Sequence, residues 1–357
     1  MKTALYENHQ ALGAKLVDFA GWDMPIQYKN LKEEVLAVRE NIGVFDVSHM
    51  GEFFITGPQA VQFIDEMVTN DIANAPNLKA IYSPLCRQDG TIIDDLIVYK
   101  LDKEMIMVCV NAANIDKDFD WLSSHSSNYE IDLSNRSSDY SLLAIQGPRT
   151  FEVLSSVDLE ADLKDIEYYS IQTTDLNQKT PLLFARTGYT GEDGFEIFGP
   201  HDYIQRIWNR LQEKDVKPCG LGARDVLRLE VCYPLYGHEL SDNVTPLDSA
   251  LKWTVKLNKN HFIGKKALES HNSSSRLIKF TLDKGIPREG YKILNEEDEE
   301  IGSVTSGTMS VVLSKGIAIA RVQKDKYNKD GIYQIEIRNR KFKIQTTTKA
   351  FVSGGHK

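Results

Sequence analysis

Several features that would announce a chemistry are missing from these 357 residues. Cysteine is scarce: Cys86, Cys109, Cys219 and Cys232 form no CxxC pair and each lies in or beside an apolar segment, so they read as reduced core thiols rather than a disulfide frame. The eight histidines show neither HxxxH nor HExxH spacing, and the expectation is no metal. No apolar run approaches the ~18 residues that span a bilayer, and the opening MKTALYENHQ has no apolar signal core, which predicts a cytoplasmic protein with no membrane partner. A basic face is lacking too. The formal net charge of -9 argues against a nucleic-acid partner.

What is present is an ordinary globular composition at a length that implies two or three domains. Residues 13–28, GAKLVDFAGWDMPIQY, suggest a strand, a turn and an extended segment. Asn30 with Glu33 three residues on forms a capping box, and Leu31, Val35 and Val38 make one apolar stripe up to Gly43, which predicts a helix. In the extended GVFDVSHMGEF that follows, Asp46, Ser48 and His49 invite a hydrolase reading. No GxSxG elbow accompanies them, so local backbone hydrogen bonding is the expectation for Ser48. A helix opens at Gly57-Pro58, with Pro at its first position, and runs through Val61, Ile64 and Val68. Strands are expected at 80–85, 91–99, 105–110 and 141–146, with a helix over 114–124 and a second Gly-Pro helix start at 147–148. Beyond HNSSSR (271–276), which looks like a linker, alternating apolar residues turn the chain β-rich, and a separate small barrel or sandwich fits residues 277–350.

The most informative stretch is RQDGTIIDDLIVY, residues 87–99, where Asp94 and Asp95 interrupt a run that otherwise looks like a buried strand. Alternation places Asp94 with Ile92, Leu96 and Val98, and Asp95 with Ile93, Ile97 and Tyr99. Both faces are apolar. Each carboxylate should therefore be hydrogen-bonded, paired with a cation, or aimed into a cavity that holds a polar ligand, and neighbours on a strand cannot form a side-by-side dyad.

Three further segments stand out. In RTGYTGEDGFEIF, glycines surround Tyr189 before a strand carrying Glu196; Glu192 and Asp193 are read as solvated on a surface hairpin. CGLGARDVLRLE lacks the third glycine of a dinucleotide fingerprint, its place being taken by Asp225, so its glycines are read as opening a helix. Arg224 or Arg228 on that helix could meet Glu196, Asp95 or a ligand anion. Lys252, Lys256, Lys259, Lys265 and Lys266 gather in a segment without an acid, which suits either a solvated face or the docking of an acidic partner.

Taken in order, GAKLVDFAGWDMP, FDVSHMGEF, DDLIVY, VNAANI, RTGYTGEDGFE, GLGARDVLRLE and KWTVKLNK closely resemble the T-protein family of the glycine cleavage system, the tetrahydrofolate-dependent aminomethyltransferases. The resemblance covers nearly the whole chain. It implies an α+β, three-domain cloverleaf around a central folate channel: residues 1–270 as two α+β subdomains, a ferredoxin-like one at roughly 53–140, and residues 277–357 as a β-barrel of distorted jelly-roll form. The implied reaction takes an aminomethyl group from the lipoyl arm of the H-protein to tetrahydrofolate, releasing ammonia. Motif matching places the essential aspartate on Asp95, leaves Asp94 structural, and assigns folate contacts to Glu196, Arg224, Asn111, Tyr82, Tyr189 and Met50.

Two departures accompany the match. The tail AFVSGGHK offers only His356 or Lys357 where the family often has Arg or Tyr, and Val311 replaces a usual Pro. The alternative within the fold is the folate-binding iron–sulfur cluster repair protein, whose KGCYxGQE-like block VCYPLYGHE only partly resembles. Flavin-linked dehydrogenases that share the fold carry a large dinucleotide-binding domain ahead of it, for which this chain has no room.

Overall fold

The computed structural model describes residues 1–355, so His356 and Lys357 lie outside the described residues. Its first long helix, Leu31–Glu40, starts where Asn30 leaves the extended region and its side chain accepts from the backbone N–H of Lys32 and Glu33 at 2.9 and 3.4 Å. Val35 and Val38 are fully buried, as the stripe predicts. The capping box is replaced by a longer-range cap. Glu34, rather than Glu33, is buried, and it accepts from Tyr28 N at 2.8 Å and Gly220 N at 2.9 Å. One carboxylate thereby ties this helix to the start of the helix Leu221–Glu230, whose N-cap is Gly220.

Two sheets enclose the interior, the first antiparallel and the second mixed, its edge strand Lys217–Pro218 pairing parallel with Gly43–Asp46. The first has strand order Lys79–Cys86, Ile92–Asp102, Met105–Val110, Gly51–Thr56, Asp132–Asn135. One face packs Phe53, Ile55, Leu96, Val98 and Val108 against the helices Ala60–Met67 and Ile115–Ser126. The other face carries Phe54, Tyr99, Met107 and Cys109. These pack against Phe45, Leu142, Ala144, Leu183, Ala185 and Phe198 of the second, six-stranded sheet. That sheet's outer face is covered by the helix His201–Glu213 through Ile204, Ile207, Trp208 and Leu211. Period-two alternation thus makes one side of each sheet a helix-covered core and the other a wall of the space between them.

Both Gly-Pro devices appear, displaced by two residues: the helices begin at Ala60 and Thr150, so Pro58 and Pro148 precede rather than occupy the first position. Gly57 (φ 122°) and Gly147 (φ 136°) turn the chain so tightly that an added Cβ would lie 2.5 Å from the carbonyl of Glu130 or of Asn41. On the first of these helices the buried stripe is Ala60, Phe63, Ile64 and Met67, with Val61 only partly covered.

The C-terminal strands form a seven-stranded sheet, from Arg340–Lys343 at one edge to Gln345–Thr347 at the other, curled around Ile278, Phe280, Ile293, Ile301, Val322 and Ile335. Among the described residues the two edges do not pair, so the expected barrel is a curled half-barrel. Arg228 pins it to the rest of the chain. Its guanidinium, 1% exposed, donates to Asp225 at 2.8 Å, Glu239 at 3.0 Å and Ser306 at 2.8 Å, which are the partners it takes in place of Glu196 or Asp95.

Candidate functional site

Asp95 lies deep in the molecule, on the face of its strand that looks between the two sheets, yet part of its surface stays accessible. Its Oδ2 accepts from the Tyr82 hydroxyl at 2.9 Å and its Oδ1 from Asn111 Nδ2 at 3.0 Å. Burial first, and the charge of Asp94 second, push its carboxyl up to about 7. Asp94 points to the opposite, helix-covered face and is fully buried, as alternation predicts, but an irregularity of register just before it places Ile93 rather than Ile92 with Leu96 and Val98. It accepts from Asn111 N (3.1 Å), Asn111 Nδ2 (2.8 Å) and Asn114 Nδ2 (2.6 Å). The two acids do not form a dyad, but they are not independent either: the one amide of Asn111 touches both.

Glu196 comes from the second sheet. Its register partners Ala144 and Ala185 belong to the inter-sheet core, so it faces the same interior as Asp95. Its Oε2 accepts from Thr187 Oγ1 at 2.5 Å, while Oε1 takes no hydrogen bond from the described residues. Tyr99 lies beside Thr187 and feels the Glu196 charge. Tyr189 anchors its hydroxyl on the Pro234 carbonyl and lies under the Arg224 guanidinium, 4.9 Å from ring centroid to Cζ. Arg224 Nη1 is buried with no partner among the described residues. Met50 packs half-buried against the same core. The structure therefore brings Asp95, Tyr82 and Asn111 together by hydrogen bonds, and Tyr189 and Arg224 by stacking; the Asp95 charge reaches both tyrosines.

Other expectations are corrected. Glu192 is 8% exposed and pairs with Arg39 at 2.8 Å, which also holds Glu230 at 2.9 Å; Asp193 pairs with Arg186 at 2.7 Å. Neither acid is solvated on a hairpin. Ser48 donates to Asp46 at 2.6 Å, and His9 and Thr3 meet the same carboxylate at 2.9 and 2.7 Å, so this cluster is an internal tie. Lys259 is also withdrawn from the basic group, its ammonium donating to the carbonyls of Asp65, Val68 and Asn70. The four cysteines are free.

Residues that reasoning from sequence passed over include Trp253, 59% exposed and stacked on Tyr82 with centroids 5.9 Å apart, and Thr187, two positions before Tyr189. Glu52 is sealed in the core with neither oxygen hydrogen-bonded, and burial alone raises it well above the carboxylate range. Its place in strand alternation, on the face it shares with Phe54, is the signal that could have found it. Among the described residues no His, Cys, Asp and Glu cluster could hold a metal ion, and no helix is long and apolar enough to cross a membrane. A surface cleft of about 320 Å³ opens on the far side of the Asp95 strand, lined by Arg87, Ile93, Lys117, Asp120, Trp121 and Ser124.

Asp95 thus lies between two sheets, on an interior it shares with Glu196, and its charge reaches the tyrosine capped by Arg224. The family model described as the GCVT N-terminal domain matches residues 5–259, and the model of the glycine cleavage T-protein C-terminal barrel domain matches residues 276–353. An aminomethyltransferase of Thermotoga maritima is 47% identical over 330 residues, 90% of each chain, and one of Thermosipho melanesiensis is 44% identical over 360 residues, 99% of this chain and 98% of its own. The crystal structure of glycine cleavage system aminomethyltransferase T from Bartonella henselae superposes with a TM-score of 0.92 at 31% identity, covering 99% of this chain and 98% of that one. The chain belongs to the glycine cleavage T-protein family. It is an enzyme, and its activity is that of the aminomethyltransferase of the glycine cleavage system.

Proposed function

We propose that Asp95 is the anion around which the transfer takes place, within a folate channel between the two sheets. The reaction carries the one-carbon unit of an aminomethylated lipoyl arm of the H-protein to tetrahydrofolate, releasing ammonia and giving 5,10-methylenetetrahydrofolate and the dihydrolipoyl carrier. The residues present fit such a co-substrate. Glu196, one oxygen held by Thr187, leaves the other to accept from the N–H edge of a pterin. Arg224 supplies an unpaired donor, while Tyr82, Tyr189 and Met50 supply walls.

Asp95 meets positive charge in two forms: the ammonium of the incoming adduct and the cationic character that develops on the accepting nitrogen. A carboxylate fixed by Tyr82 and Asn111 in a low-dielectric interior stabilises both without reorganising. With its carboxyl poised at about 7, an arriving cation draws the group into its charged form, and it can then orient or accept a proton. The observation that carries this reading is the inward-facing, hydrogen-bonded Asp95 on the same interior as Glu196.

We further read the first sheet with its two helices as the ferredoxin-like unit of a three-part cloverleaf, extended by the edge strand Lys79–Cys86. The carrier docks on the segment that carries Lys252, Lys256 and Lys266 together with the exposed Trp253, which stacks on Tyr82. The test is Asp95→Asn assayed for ammonia release from the aminomethylated carrier with tetrahydrofolate present. Turnover is abolished while tetrahydrofolate still binds; turnover at the wild-type rate removes Asp95 from the mechanism.

A further inference from the structure

The helix side of the Asp94–Asp95 strand carries an acid that the mechanism above leaves unused. Asp118 lies in the first turn of the helix Ile115–Ser126, whose N-cap Asn114 contacts Asp94 directly. Asp118 is 0% exposed, and no N–H of the described residues reaches either of its oxygens; its hydrogen-bonding neighbour is the Asp94 carboxyl. Two carboxyls in contact and sealed from water do not both ionise. Asp94 accepts three N–H bonds and Asp118 accepts none, so the charge stays on Asp94 and the proton on Asp118. Burial, followed by the charge of Asp94, pushes Asp118 up to about 11, in agreement with that partition.

We propose that Asp118 is a positioning residue: as a neutral acid it donates to Asp94, and the Asp94 carboxylate so fixed clamps the Asn111 amide that touches Asp95. This rests on the reading of Asp95 as the reacting-site anion. The clamp is geometric. Asn111 Nδ2 is shared among Asp94 Oδ1 at 2.8 Å, Asp95 Oδ1 at 3.0 Å and the Asp95 carbonyl at 3.0 Å, while Asn111 N holds Asp94 Oδ2 at 3.1 Å. Any tilt of Asp94 swings this amide off Asp95. The charged and titratable groups around the pair are Tyr82 on the neighbouring strand, Tyr189 on its loop, Lys117 on the helix, Tyr236, and Cys109 on the third strand.

The test uses full-length Asp118→Asn and Asp118→Leu with aminomethylated carrier and tetrahydrofolate. Asparagine offers Asp94 an N–H where the acid offered O–H, so kcat stays within about twofold of wild type and the pH limb of kcat/KM does not move. Leucine offers no donor. Asp94 then takes up a proton more readily, the charge that raises Asp95 is lost, and the limb moves to lower pH by roughly half a unit or more. The kcat falls roughly tenfold or more while KM for tetrahydrofolate holds, the mark of lost positioning rather than lost binding.

Infrared difference spectra supply a readout that does not need the leucine variant to fold. Wild type minus Asp118→Asn at pH ~8 shows a protonated-carboxyl C=O band, because a group at this depth keeps its proton well above neutrality. Absence of that band, or an asparagine variant as impaired as the leucine one, overturns the proposal. The same spectra taken in an Asp95→Asn background separate the two readings: the band reports the proton on Asp118 whether or not Asp95 proves essential.

Discussion

The raised carboxyl of Asp95 has a consequence for stability that can be measured without any substrate. In the unfolded chain Asp95 ionises near 3.8, whereas in the folded protein it does so at about 7, so between these values the native state binds the extra proton. Stability contributed at this position is therefore greatest below the unfolded value and is lost as pH rises toward the folded one. A displacement of roughly three units at about 1.4 kcal/mol each gives an upper bound of about 4 kcal/mol. About two of those units fall between pH ~5 and ~8, so the change across that interval is about 2 to 3 kcal/mol.

Asp95→Asn removes this titration. It also replaces one of two accepting oxygens, between the donors Tyr82 and Asn111, by an amide NH2, a cost that does not depend on pH and cancels when the same variant is compared at two pH values. Denaturant unfolding of wild type and variant at both pH values should show the variant gaining about 2 to 3 kcal/mol relative to wild type on going to the higher pH. A difference between the two proteins that is the same at both pH values would refute a poised carboxyl at this position.

Two further outcomes follow from the same geometry. Tyr82→Phe removes the hydroxyl that donates to Asp95 Oδ2, so the carboxyl rises by roughly one unit, the pH limb of kcat/KM moves alkaline, and activity at pH ~7 falls about fivefold but recovers at higher pH; a pH-independent loss would mean that Tyr82 acts only as a wall. Charge reversal at Lys252, Lys256 and Lys266 should raise KM for the carrier roughly tenfold at low ionic strength, with the gap closing toward ~0.5 M salt. An unchanged KM and salt dependence would move the docking surface elsewhere.

Much of the scaffold was legible because short-range rules govern it. Met105–Val110 and Ser141–Gln146 have the bounds that their apolar runs announce, and the Asn30 cap begins its helix where the side chain can reach Lys32 N. The opposite orientation of Asp94 and Asp95 was legible for the same reason, since alternation is a property of one strand. What escaped depends on partners brought from far along the chain. Glu192 reads as solvated among glycines, but Arg39, 153 residues away in sequence, draws it inward. Lys259 reads as surface charge, but three carbonyls of the 65–70 segment capture its ammonium. Alternation in the C-terminal strands identifies strands and a buried face, while whether the sheet closes depends on the pairing of its edges, which no local pattern encodes.

The site was divided in the same way. Asp95, Glu196 and Arg224 follow from blocks that resemble a known family, yet the bond network around Asp95 runs through Asn111 and Asp94 to Asp118. That last link joins a strand to a helix 24 residues on, and spacing within the helix alone does not say what it faces.

The most direct test of the account is a structure of the full chain with tetrahydrofolate bound. The account predicts a pterin between the two sheets, its N–H edge within hydrogen-bond distance of Glu196 Oε1 and Asp95 beside the nitrogen that accepts the one-carbon unit. A pterin seated in the cleft formed by Arg87, Lys117 and Trp121, with Asp95 out of its reach, would contradict it.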